Sequence, residues 1–346
     1  MEEFKISWQS PSNIAIVKYW GKEKDQIPMN PSFSFTLDKS KSITTLIAKP
    51  KNQDSENKFF FDGIRNDSFG KKSFLLLEKI SKNEPWLHDY SFEIHSKNTF
   101  PHSAGIASSA SSMSALALCI TNLVETHHNQ KFSLCEFNTR ASEYARIGSG
   151  SASRSIYPKG SIWGQNASIA NSSNAFAIDW SKEIHTDFLQ IQDAIFLVNR
   201  NEKSVSSSAG HELMNQHHYR ASRIVQANQN LNKLVQALKT GDWNTFVEIS
   251  EEEALTLHGL MMSSNPGFVL LEGDSIRLVH FIRKLRSDHG LPVCFTIDAG
   301  PNIHMLYPLS RANEILNHMK LEFPEYFSGD RIIFDCVGEG PLCVSE

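Results

Sequence analysis

A chain of 346 residues, 40% hydrophobic and 21% charged, has the make-up of a globular protein large enough for two domains, each with its own core. A formal net charge of −4 leaves no surplus of Lys and Arg to drive counterion release, which argues against a nucleic-acid surface, and nowhere do about 18 apolar residues run together as a membrane span requires. Five scattered cysteines without a Cys-x-x-Cys pair read as reduced, cytoplasmic thiols rather than a disulfide framework.

The first elements are strand-like. Ile14 and Ile16 lie among small residues, Ser42 to Ala48 is rich in β-branched side chains, and Phe59 to Phe61 runs into the turn pair Asp62-Gly63. A helix over 68–82 and a strand over 91–95 follow, then a helix through Ser111 to Val124. Ser133 and Glu136 have the Ser-x-x-Glu spacing of a capping box, and the helix that they open repeats Leu134, Phe137, Ala141, Tyr144 and Ala145 before stopping at Gly148. Between 162 and 181 the chain turns to Asn, Ala and Ser with little periodicity. Asp193 to Asn199 reads as a buried strand, which places a domain boundary near 185 and divides the chain into 1–185 and 186–346. Helical patterns follow through Ile224 to Leu238, Trp243 to Met262 and Ile276 to Leu285. Strands at 293–297 and 303–306 flank the turn 298–302, and a last strand spans 331–336. The order predicts two α+β layers with a ligand cleft between domains.

Four polar segments stand where a core would be apolar. In Asn13-Ile-Ala-Ile-Val-Lys18-Tyr19-Trp20-Gly21-Lys22, period two sets Lys18 on the face opposite Asn13, either reaching for solvent or held by a buried anion. Pro101 to Ala110 is a small-residue loop running into a helix. Gly105 allows close approach of the backbone, and Ser108 and Ser109 offer donors where a helix start carries about half a positive charge. It is no Walker loop or dinucleotide fingerprint, so either tight packing or a nucleotide phosphate cradle accounts for it.

Gly148-Ser-Gly-Ser-Ala-Ser-Arg154-Ser155 clears space around Ser149, Ser151 and a guanidinium suited to a carboxylate or phosphate; a flexible connector explains its serines but not Arg154. Ser206 to Gly210 is a weaker version of the same idea. Asp298-Ala-Gly-Pro-Asn302 places an acid at a strand end, either to cap the turn or to act on a hydroxyl beside a lysine. Fourteen histidines include no His-Glu-x-x-His, so the expected metal is magnesium arriving with a nucleotide.

Together these segments resemble the GHMP kinase superfamily and, within it, the mevalonate diphosphate decarboxylases. The resemblance spans the chain, and the segments beginning at Asn13, Gly148 and Asp298 carry its specific part. It implies an N-terminal domain like ribosomal protein S5 domain 2, a ferredoxin-like C-terminal domain, and a homodimer. The implied reaction is ATP-dependent decarboxylation of mevalonate 5-diphosphate through phosphorylation of its 3-hydroxyl.

Carried over, Asp298 activates or orients that hydroxyl, Lys18 faces the moving phosphoryl group, and Arg154 with Asn13 grips the substrate carboxylate. Tyr19, Lys22, Ser149, Ser151, Ser207 and Ser208 line the remaining substrate site. Pro101, Gly105, Ile106, Ala107, Ser108 and Ser109 cradle ATP, with Ser109 toward magnesium. Ser153 departs from a common Cys, His102-Ser103 from Thr-Ala, and His211 from a frequent Met; Ser208 stands where some relatives use Arg or Thr, and Ile156 to Gly160 where a Gly-Gly turn is common. A related enzyme acting on mevalonate or its monophosphate, as decarboxylase or 3-kinase, is the nearest alternative, and a catalytically silent ligand-binding protein is another.

Overall fold

The computed structural model describes residues 2–100, 108–200 and 207–344, the side chains of Ser207 and Ser208 excepted. The hairpin of β1 (Phe4–Val17) and β2 (Ser32–Pro50) is the spine of a mixed sheet. β3 (Lys58–Phe61) turns through Asp62 and Gly63, both at positive φ, into β4 (Ile64–Arg65), as the Asp-Gly pair predicts. α1 (Lys71–Ser81) leads to β5 (Tyr90–Asn98), which lies between β2 and β3.

α2 (Ser108–His127) and α3 (Leu134–Gly148) pack on this sheet, and Leu46, Ile94, Leu116, Ile120 and Ala141 join in one buried core. The α3 capping box is complete: Glu136 N–H donates to Ser133 Oγ, and Ser133 N–H to Glu136 Oε2. The stretch with little periodicity holds two short strands, β6 (Gly160–Trp163) and β7 (Ala177–Asp179). Every residue of β6 is buried, so no polar face alternates along it to betray a strand.

α4 (Thr186–Leu189) precedes β8 (Ile191–Phe196), an inner strand that starts two residues before the predicted one. α5 (Ser207–Leu213), α6 (Arg220–Thr240), α7 (Trp243–Met262) and α8 (Gly273–His289) then lead to β9 (Cys294–Thr296) and β10 (Ile303–Pro308). α9 (Ala312–Glu322), α10 (Pro324–Phe327), β11 (Ile332–Cys336) and β12 (Leu342–Cys343) finish the described chain. The second sheet is antiparallel, in the order β11-β8-β10-β9. The architecture is α+β, as the element order predicts.

α6 and α7 meet at an abrupt corner. Gly241 ends α6 in the left-handed conformation, and Asp242 immediately caps α7 by accepting from the Thr245 N–H. The corner turns both helices onto the second face of the first sheet, where Leu231, Leu234 and Phe246 pack with Ile14, Ile16 and Phe33 in a shared core. Asp335 also reaches across, accepting from the N–H groups of Asp38, Lys39 and Ser40, and β12 pairs with β1. Elements distant in sequence are thereby held in fixed relation around one cleft. All five cysteines are free thiols.

Candidate active site

The cleft has a volume of about 360 Å³ and brings together Asn13, Lys18, Tyr19, Lys22, Ser149, Ser151, Arg154 and Asp298, all singled out in the sequence. Lys18 arrives there by a different route from the one expected. Its register with β2 slips between Ala15 and Val17, so Ile16 and Val17 both enter the core and the next residue swings round to the side of Asn13 and Ala15. The strict alternation that opposed Lys18 to Asn13 fails at this bulge. Lys18 does not reach for solvent: its side chain is 2% exposed, and Nζ lies 2.8 Å from Asp298 Oδ1. Burial pulls the ammonium pKa below the ordinary lysine value, and the Asp298 carboxylate opposes that pull. Asp298 belongs to the cleft wall rather than serving the turn alone.

Arg154 is buried, and among the described residues its guanidinium meets neutral partners: Asn13 Oδ1 accepts from Nε at 3.3 Å, Ser32 Oγ from Nη1 at 2.5 Å, and the Trp163 ring lies 5.9 Å away. Burial lowers its pKa to about 10, with Asp298 and Tyr19 acting in the opposite direction. A dry cation without an ion-pair partner is costly to the free protein and suited to an incoming anion. Asn13 holds it in place, since the Asn13 amide also donates to Ser155 Oγ and to the Ser151 carbonyl. Gly150 is required by contact: a Cβ there would come within 2.8 Å of both the Trp163 ring and the Tyr19 hydroxyl. That buried hydroxyl has no hydrogen-bond partner among the described residues, and burial raises its pKa. Ser153 spends its own hydroxyl on the Gly150 carbonyl, so it steadies this turn.

Two lysines of the cleft were missed in the sequence, and His211, noted there only as a departure from a frequent Met, is a third polar side chain of its wall. Lys72 and Lys79 flank Leu75 and Leu76 on α1, and with Lys22 they make one wall cationic; burial lowers the Lys22 pKa, and repulsion from both lysines adds to the effect. Their spacing of seven on a helix, bracketing two leucines, is a legible stripe. His211 on α5 packs against Tyr19 and Trp20, and its Nδ1 accepts the Gly21 N–H at 2.9 Å. Burial, then Lys22 and Arg154, push its pKa down to about 3, so the ring is neutral with its proton on Nε2.

A second cleft of about 520 Å³ adjoins the first, sharing Lys72 and Ser109 with it. Phe59, Phe61, Phe69 and Met113 make it largely apolar, Ser96 and Asn98 add polar groups, and Ser108 and Ser109 stand at the first turn of α2. Ser109 Oγ is 3.4 Å from Ser149 Oγ, so the phosphate-loop segment and the Arg154 segment touch. Pro101, Gly105, Ile106 and Ala107 lie outside the described residues, as do the side chains of Ser207 and Ser208, which open α5.

Residues 10–177 match the family model of the diphosphomevalonate decarboxylase-like N-terminal domain, and residues 194–341 match that of the mevalonate 5-diphosphate decarboxylase C-terminal domain. The chain belongs to the mevalonate diphosphate decarboxylase family. Among curated members, the diphosphomevalonate decarboxylase of Ganoderma lucidum is 27% identical over 351 residues, covering 94% of this chain and 84% of the relative. Among solved structures, MDDEF in complex with MVAPP, AMPPCP and magnesium superposes with a TM-score of 0.86 at 27% identity, over 100% of both chains. The mevalonate diphosphate decarboxylase from Staphylococcus aureus gives 0.86 at 26% identity, over 99% of both. The fold is thus the two-domain α+β fold of mevalonate diphosphate decarboxylases. Among the described residues no helix is long and apolar enough to cross a membrane.

Proposed function

We propose that this protein converts mevalonate 5-diphosphate and ATP into isopentenyl diphosphate, ADP, phosphate and carbon dioxide. The observation that carries the reading is the meeting of three features at one place. A dry Arg154, without an ion-pair partner among the described residues, shares a cleft with the Lys18–Asp298 pair, and that cleft opens at Ser109 onto a second one beside a helix N-terminus.

Asp298 orients the 3-hydroxyl and accepts its proton as the hydroxyl oxygen attacks the terminal phosphorus of ATP. Lys18 faces the charge spread over the moving phosphoryl group, a stabilisation that fixed donors supply without reorganisation. A tertiary hydroxide is a poor leaving group, and the phosphate ester is a good one. As the C3–O bond breaks, phosphate departs with the bonding pair, and the pair of the bond to the carboxylate becomes the new C=C bond. Arg154, positioned by Asn13, holds the carboxylate until it leaves as carbon dioxide.

Tyr19, Lys22, Ser149, Ser151, Ser207 and Ser208 line the remaining substrate site, with Lys72 and Lys79 adding positive charge. Ser108, Ser109 and the loop containing Pro101, Gly105, Ile106 and Ala107 hold the ATP phosphates at the start of α2, and the apolar cleft receives the base. The exposed Ser109 residue offers a hard hydroxyl oxygen where both clefts meet, which fits magnesium; bound there with the nucleotide, the ion neutralises phosphate charge. We also propose a homodimer in the cytoplasm and a division into domains near residue 185. The test of the reading is turnover of mevalonate and of its mono- and diphosphates with ADP and carbon dioxide followed together. Equal release from the diphosphate supports it, and ADP without carbon dioxide refutes it.

A further inference from the structure

Lys18 is gripped by its backbone as well as by its side chain. Its N–H donates to Glu253 Oε2 at 2.8 Å, and its carbonyl accepts from Arg223 Nη2 at 2.9 Å and from Asn30 Nδ2 at 2.8 Å. Glu253 is itself bound by both terminal nitrogens of Arg223, at 2.8 and 2.6 Å, and by Asn230 Nδ2 at 2.8 Å. The side chains of this pair are 1% and 0% exposed. Taking two charges out of water costs several kcal/mol per ion, and apolar side chains of similar volume often stabilise a core as well or better. Arg223 Nε and Asn30 Oδ1 are moreover left buried without partners among the described residues. Stability alone is a poor reason for such a network.

Its geometry has a different consequence. Glu253 and His258 both lie on α7, and His258 Nε2 is 3.2 Å from the Asp298 carbonyl oxygen. The buried side of one helix therefore meets the backbone of both members of the Lys18–Asp298 pair, although the two are 280 positions apart in sequence. We propose that Glu253, Arg223 and Asn30 are positioning residues that clamp the Lys18 peptide at both of its polar groups, so that its ammonium and the Asp298 carboxylate face one reacting centre. The proposal rests on the reaction assigned above. Misplacement of a reacting group by about 1 Å costs on the order of 10²-fold in rate, whereas residues that bind substrate elsewhere are untouched.

The test uses the full chain and two variants. Arg223→Met/Glu253→Met replaces the ion pair with apolar side chains of similar length, and Asn30→Ala removes one donor to the Lys18 carbonyl while leaving the pair intact. The first readout is kcat against KM for both substrates. The second is the rate at which an amine-acylating reagent modifies Lys18, followed by peptide mass spectrometry with exposed lysines as internal standards. The clamp predicts kcat lower by about 10- to 100-fold in the double variant, KM within about two-fold, and Lys18 acylation faster by about ten-fold or more. Wild-type kcat in a folded double variant, or Lys18 as protected as in the wild type, overturns it. Should the double variant fail to fold, Asn30→Ala decides by the same two readouts: lower kcat with faster acylation supports the clamp, and wild-type behaviour in either overturns it. A wild-type protein that releases no carbon dioxide sinks the reaction reading, while protection of Lys18 still decides the clamp.

Discussion

Replacing Asp298 by Asn keeps the size of the side chain and removes its charge and its basicity. In the wild type, Oδ1 lies 2.8 Å from a Lys18 Nζ that is itself almost wholly buried. Stripping one partner from a dry ion pair costs about 3–5 kcal/mol. Here the loss should be smaller, because the Asp298 side chain is 28% exposed and Lys18, already lowered in pKa by burial, can shed its proton. The effect on rate is separate. Losing a positioned base lowers turnover by about 10² to 10⁴, or roughly 3–5 kcal/mol of barrier. Thermal unfolding measures the first quantity, kcat from joint ADP and carbon dioxide release measures the second, and calorimetry reports ATP and substrate binding. The expectation is a folded protein that binds both ligands within a few-fold of wild type and turns over at least about 100 times more slowly. Near-normal turnover would refute the reasoning and leave the carboxylate a turn cap.

Arg154→Met removes a buried cation that lacks an ion-pair partner among the described residues, so the unfolding midpoint should hold or rise. The KM for substrate should increase by about 10- to 150-fold, as for loss of a charged hydrogen bond; a falling midpoint with unchanged KM contradicts this. Because burial lowers the Lys18 pKa, the alkaline limb of kcat should fall below the ordinary lysine range. Asp298→Asn should move any residual limb lower still, and a limb that stays in the ordinary range excludes Lys18 as its source. His211 has a folded pKa of about 3 against an ordinary 6.5, so the unfolded chain binds more protons between those values. Its contribution to stability is present above about pH 6.5 and is lost as pH falls toward 3, amounting to a few kcal/mol. Denaturant unfolding of His211→Phe should therefore show a shallower loss over that window, and an unchanged slope means the ring is not sealed.

Most helices were legible because their stops are local chemistry. α7 occupies the predicted Trp243 to Met262, bounded by the left-handed Gly241 and the Asp242 cap. The site was legible where a residue is out of place for a core, as Arg154 is among small residues or Asp298 at a strand end. What escaped depends on the third dimension. A single bulge reversed the facing of Lys18, and no feature of residues 13–20 announces it. β6 is short and buried throughout, so it lacks a periodicity to read. Arg223 and Glu253, taken alone, are charged residues on two helices and read as solvated faces; only the turn at 241–242 brings them together against Lys18. Lys72 and Lys79 were within reach, given attention to charge as well as hydrophobicity along α1.

The order of events at the 3-hydroxyl is the central claim, and an isotope follows it atom by atom. Mevalonate 5-diphosphate carrying ¹⁸O in that hydroxyl, turned over with unlabelled ATP, should deliver the label to inorganic phosphate at one atom per carbon dioxide released, resolved by the isotope shift in the ³¹P spectrum. Label appearing in water, with unlabelled phosphate, would mean that the hydroxyl leaves without being phosphorylated and would contradict the roles assigned to Asp298, Lys18 and Arg154.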